Sequence, residues 1–138
     1  MGFLNFFRRN SEGVRLNPMS EQDIGLLALM CMRCQSVVVK EGLFQTVHYV
    51  YYVAYEEENI FVAQQIFKRN GINMVVHDST ISGYEQKVLR INSNDVSDKN
   101  TFKKDRQRIR QKYQDLYING NKAQRQILET QLALMKQK

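Results

Sequence analysis

The sequence predicts an α+β chain: a ferredoxin-like β-α-β-β half-sheet with a preceding buried helix, followed by a C-terminal helical hairpin. Three observations carry this. Residues 48–55 read HYVYYVAY, β-branched and aromatic throughout, the composition of a strand. Ile60, Phe61, Ala63, Ile66 and Phe67 then recur at helical spacing and stop at Asn70-Gly71, a good helix terminator. Beyond residue 99, two apolar seams are separated by Asn119-Gly120-Asn121, the pattern of two helices joined by a short turn.

Taken in order, residues 1–9 read MGFLNFFRR, with Phe3, Leu4, Phe6 and Phe7 able to share one helical face. Residues 10–19 are polar with the one proline of the chain and read as a connector. Ser20 is placed as an N-cap, with Glu21 and Asp23 in a first turn where the helix dipole favours acids. The helix it opens is apolar on most sides and extends to about residue 35, so it is expected to be buried. Val37-Val38-Val39 fit either a last helical turn or a short strand.

In the tyrosine-rich strand, alternation sends Tyr49, Tyr51, Val53 and Tyr55 to one face and His48, Val50, Tyr52 and Ala54 to the other. Residues 72–77 (INMVVH) read as a second strand, 78–83 as a turn and 84–91 as a third strand. The strand–helix–strand crossover requires parallel strands, and the short turn an antiparallel hairpin. Residues 92–100 are polar and mark a boundary. Residues 101–118 then form a helix with its seam at Phe102, Ile109, Tyr113 and Leu116, and 122–136 a second one. The chain thus divides into a leader and connector (1–19), a compact α+β domain (20–94) and a basic helical hairpin (95–138).

Net charge is +6 over 138 residues, but its distribution matters more. From Lys99 onward there are eleven Lys and Arg against three acids; the rest of the chain is slightly acidic. Such asymmetry points to a polyanionic or acidic partner at one end. Two cysteines, Cys31 and Cys34, are too few for a disulfide framework and sit among Met30, Met32 and leucines, which suits buried, reduced thiols and a cytoplasmic setting. No secretory signal is read in residues 1–9, and the longest nearly apolar run, residues 24–32, is far below the roughly 20 residues a membrane helix needs.

Little in the chain resembles catalysis. Cys31-x-x-Cys34 falls within an apolar helix and is read as core packing, with only His48 and His77 available as further ligands, at opposite edges of the sheet. Glu56-Glu57-Glu58 are read as dipole-favoured surface acids at a helix start. His77-Asp78-Ser79 are consecutive, which does not create triad geometry. No enzyme, metal or cofactor is expected.

The strand order is similar to the β-α-β-β start of RNA-recognition modules, whose sheet aromatics stack unpaired bases. The resemblance is topological: residues 84–91 lack that module's basic-Gly-aromatic run. It offers Tyr49 and Tyr51 as a stacking platform. The stronger signal is Lys103, Lys104, Arg106, Arg108, Arg110 and Lys112 within ten residues, interrupted by one acid, Asp105. Together they could neutralise several phosphates. The leading expectation is a non-enzymatic accessory protein binding DNA or RNA through this hairpin. The alternative is a structural or adaptor subunit of a larger viral or bacterial assembly, or a homo-oligomer. It would dock on an acidic or apolar partner through Phe3, Phe6, Phe7, Ile109 and Leu116. A third option is membrane contact through residues 1–9, where Arg8 and Arg9 follow the aromatics.

Overall fold

A computed structural model describes residues 17–30, 32–43, 45–81 and 84–137. Phe3, Leu4, Phe6, Phe7, Arg8, Arg9 and Cys31 lie outside the described residues. The elements are α1 (Glu21–Leu29), β1 (Arg33–Glu41), β2 (Gln45–Val53), α2 (Asn59–Arg69), β3 (Val75–Ile81) and β4 (Tyr84–Asn92). After a short 3-10 turn (Ser93–Asp95) come α3 (Lys99–Tyr113), which runs into a π-helical turn (Gln114–Ile118), and α4 (Lys122–Lys136).

The α+β class expected from the sequence is the one found: helices pack on a four-stranded sheet of order β1-β2-β4-β3 among the described residues. Every neighbouring pair of strands is antiparallel. β2 and β3, joined through α2, do run parallel, but β4 lies between them.

Two expectations are corrected. The first helix stops at Leu29 rather than continuing to residue 35, and residues 33–41 form a strand. This removes Cys34 from a helix and resolves Val37-Val38-Val39 as strand. The reason is pairing. Three consecutive valines favour extended backbone, and β1 is in register with β2 from Arg33↔Val53 to Glu41↔Gln45, with Gly42 at φ 77° in the connecting turn. The second correction concerns β3, which begins at Val75 and continues to Ile81, through residues read as a turn. Asp78, Ser79 and Thr80 are weak strand formers, but they pair with Lys87, Gln86 and Glu85 of β4, and ladder pairing overrides local preference.

Other elements form where their sequence signals stand. The Ser20 side chain accepts a hydrogen bond from the Asp23 N–H at 3.1 Å and caps α1. Asn70 and Gly71, the latter at φ 80°, close α2. Gly120 at φ 71° turns the chain between α3 and α4, and Asn121 caps α4 by accepting from Gln124 N–H.

Strand alternation fixes the core. Val50, Tyr52 and Ala54, with Leu89 and Ile91 of β4, face the helices and are buried. They share one apolar cluster with Ile24, Leu26 and Leu27 of α1, Ile60, Ile66 and Phe67 of α2, Phe102 and Ile109 of α3, Leu116, and Leu128 of α4. The Tyr52 ring is flanked by Phe67 (centroids 4.8 Å) and Phe102 (6.5 Å). α4 reaches this cluster across α1, where Gly25 lets Leu128 approach: a Cβ at Gly25 would stand 2.8 Å from Leu128 Cδ2.

Candidate nucleic-acid interface

The six clustered cations divide according to helical phase. Lys103, Arg106, Gln107 and Arg110 recur every three or four residues, so α3 carries them on one flank of its buried seam. This flank faces the edge of the sheet where β1 and β2 pair. Between them lies a cleft of about 550 Å³, lined on the helix side by Lys103, Arg106 and Arg110 with Ile109 and Tyr113, and on the sheet side by Cys34 and Tyr52 with Met32. No carboxylate lines it among the described residues. Arg106 donates to Ser36 Oγ at 3.3 Å and lies over the Phe102 ring at 5.8 Å, so its guanidinium is held against the cleft wall.

Arg108 points the other way and is engaged internally. It donates to Met19 O at 2.8 Å, Asp105 Oδ1 at 2.9 Å and Glu21 Oε1 at 2.6 Å. Asp105, the single acid in the basic run, is buried and also accepts from Met19 N–H at 3.2 Å. Lys112 lies on this second flank with Arg108, Glu21 and Asp115. Lys104 is exposed. The partner-docking candidates Ile109 and Leu116 are 3% and 0% exposed, their seam filled by the chain's own core.

Tyr49 and Tyr51 lie on the face of the sheet opposite Tyr52, half-buried, with ring centroids 6.2 Å apart. His77 is 6.5 Å from Tyr51, and the Arg90 guanidinium stands 4.9 Å over Tyr49. The sheet therefore separates this aromatic group from the α3 cations. His48 projects on the helix side of the sheet and His77 on the other, so the two histidines do not converge.

Sequence reasoning missed the sheet wall of the cleft. Cys34 is exposed at its mouth as a residue, yet its thiol is crowded. Partial burial raises its pKa, with the neighbouring Arg106 guanidinium acting in the opposite sense. Tyr52 is 1% exposed, and its hydroxyl is sealed from solvent beside the Cys34 thiol. Burial pushes the phenol pKa well up, and the adjacent Cys34 adds to the rise. At neutral pH both groups are uncharged, and the phenol remains a hydrogen-bond donor. The alternation that separates Tyr52 from Tyr49 and Tyr51 was visible in the sequence; which face turns inward, and its meeting with α3, were not.

A second depression, at the β3–β4 hairpin, is lined by Glu57, Asp78 and Glu85 with several neutral side chains and Lys87. Asp78 holds Lys87 at 3.0 Å, and this acidic region suits a polyanion poorly. No helix among the described residues is long and apolar enough to cross a membrane. No protein-family model, curated protein or solved structure matches the chain.

Proposed function

We propose that this chain is a non-enzymatic accessory protein that binds nucleic acid along the cleft-facing flank of α3. One observation carries the reading: Lys103, Arg106 and Arg110 share a cleft with no carboxylate among its described lining residues, while Arg108 and Lys112 face acids on the other flank. From residue 103 to 110 the helix rises about 10 Å, enough to meet about three phosphates along one strand. Lys104 extends the positive surface and is secondary. Tyr49 and Tyr51, across the sheet, form a separate surface that the same short stretch of strand does not reach. In fold terms we read the sheet as a permuted ferredoxin-like arrangement. β2, α2, β3 and β4 supply its split crossover, and α1 with β1 supplies the helix and edge strand that usually come last.

The test is fluorescence anisotropy with labelled single- and double-stranded DNA and RNA at low and high salt. Binding is expected at low salt, to be lost in Lys103→Glu/Arg110→Glu and retained in Lys122→Glu on α4. Absence of binding to all four probes at low salt would overturn the proposal.

An adaptor role is the second reading, favoured by Ile127 and Leu134. They lie seven residues apart on α4 and are 54% and 57% exposed, the spacing of a helix-docking stripe. It predicts that Ile127→Ser/Leu134→Ser removes self-association or partner capture without touching anisotropy.

A further inference from the structure

β1 is an edge strand: its nine residues pair with β2 on one side, and among the described residues no strand pairs with the other. An open edge presents a row of backbone donors and acceptors to any strand that fits it, and folded chains usually blunt such edges. This one is about 30 Å long, holds no proline or glycine, and carries Val37-Val38-Val39 at its centre. Cys34, Ser36, Val38 and Lys40 are exposed along it, Val38 to 57%. Its charges sit at the two ends: Arg33 opens the strand, and Lys40 and Glu41 close it.

That order of residues is self-complementary. When two copies of β1 run antiparallel about an axis through Val37, every position pairs, and Arg33 stands opposite Glu41 of the second copy at both ends. Lys40 then stands opposite Cys34, and Ser36 opposite Val38, so no like charges meet. Moving the axis to Ser36 or to Val38 pairs only residues 33–39 or 35–41 and takes Arg33 and Glu41 away from each other. The other edge, β3, does not share this property: an axis at its midpoint sets Asp78 against Asp78 of the second copy, a destabilising pair. We propose that the free edge of β1 is a homodimerisation surface, at which two copies pair β1 to β1 about Val37 and extend the four-stranded sheet to twice its width. The axis is normal to the sheet, so the helices of both copies lie on one side of it. Arg106 donates to Ser36 Oγ at this edge, so the two cationic clefts come to flank the seam. At about 0.15 M salt, charges farther apart than about 8 Å are largely screened. Two paired edges bury less than a standard protein interface, and the association is weak and concentration-dependent.

The experiment is sedimentation velocity on the full chain at about 0.15 M salt, over a concentration series that reaches the submillimolar range. The variants are Glu41→Arg, Arg33→Glu and the exchange of both. Within the chain Arg33 stands opposite Val53 and Glu41 opposite Gln45, so none of the three sets like charges against each other between β1 and β2, and their melting temperatures are expected to match that of the parent chain. Cysteine cross-linking, in a chain whose Cys31 and Cys34 are replaced by serine, reports the register. Val37→Cys meets its own copy across the axis at a separation a disulfide spans, whereas Val39→Cys stands opposite Gln35.

A mass that climbs from monomer toward dimer with concentration, with dimer affinity weakened about tenfold or more in each single variant and recovered in the exchange, supports the pairing. Cross-linking of Val37→Cys but not of Val39→Cys supports its register, and equal cross-linking of both would overturn it. A monomer mass throughout the series would overturn the proposal. So would a dimer that persists in both single variants, or one that is lost only in Ile127→Ser/Leu134→Ser, which would assign association to α4. None of these outcomes bears on the phosphate contacts of α3, which Lys103→Glu/Arg110→Glu tests separately.

Discussion

Asp105 and Arg108 show how far a residue's role depends on its surroundings. In sequence Asp105 interrupts a run of cations and Arg108 belongs to it. In the fold they form one clamp, in which the buried carboxylate accepts from Met19 N–H and from Arg108, whose other amine reaches Glu21. Asp105→Ala leaves a backbone N–H and a guanidinium short of a partner and is expected to cost about 2 kcal/mol, read as a lower urea midpoint. Arg108→Ala is expected to lower stability while leaving nucleic-acid affinity close to that of the parent chain. Cys34 and Tyr52 give a pH dependence. Both pKa values are raised in the folded chain, mainly by burial, so the unfolded chain loses these protons first. The stability they secure is intact below about pH 8.5, the ordinary thiol value, and is lost as pH rises through the alkaline range. Chemical denaturation between pH 7 and 11 is expected to show a falling midpoint, with the fall reduced in Tyr52→Phe. The Ser20 cap and the separation of Tyr52 from Tyr49 and Tyr51 were legible because both follow from local rules; which tyrosine face turns inward was not. The clamp was not, because Met19 lies 86 residues from Asp105.

At the level of elements, α2 and α4 were legible almost to the residue. Each is an amphipathic segment bounded by a terminator or a cap. β1 was not: residues 24–32 are continuously apolar, and nothing local separates the end of a buried helix from the start of a strand. The pairing of nine residues with β2 decides it. α3 was legible as a helix, and its seam too, but which flank faces the sheet depends on how it lies against α1. The α1–α4 contact makes a prediction of its own. Gly25 is the point of closest approach, where Leu128 leaves no room for a side chain. Gly25→Val is expected to cost about 1 to 3 kcal/mol by overpacking, partly offset by the poor helix propensity of glycine. A lower melting temperature checks it, and Leu128→Ala in the same chain is expected to restore part of the loss by vacating the space.

Over the whole molecule, charge is sorted by surface. The rim of the cleft is cationic, the β3–β4 end is acidic, and the second flank of α3 balances its cations with Glu21, Asp105 and Asp115. Composition alone located the positive charge in the C-terminal segment but spread it over all six residues of the run. In the fold three of the six, Lys103, Arg106 and Arg110, line the cleft against Met32, Cys34 and Tyr52, which lie far away in the sequence. The measurement that tests this account most directly is the salt dependence of binding to a labelled single strand, made on the parent chain, on Arg108→Ala and on single neutralisations at Lys103, Arg106 and Arg110. Three phosphate contacts give a log–log slope of about −2, an affinity loss of about 20-fold between 50 and 200 mM salt. The slope is expected to become shallower by about 0.7 for each of the three cleft cations removed, and to be unchanged in Arg108→Ala. A slope near zero, or one that Arg108→Ala alters as much as Arg110→Ala, would contradict the assignment of the cleft flank as the phosphate-binding surface.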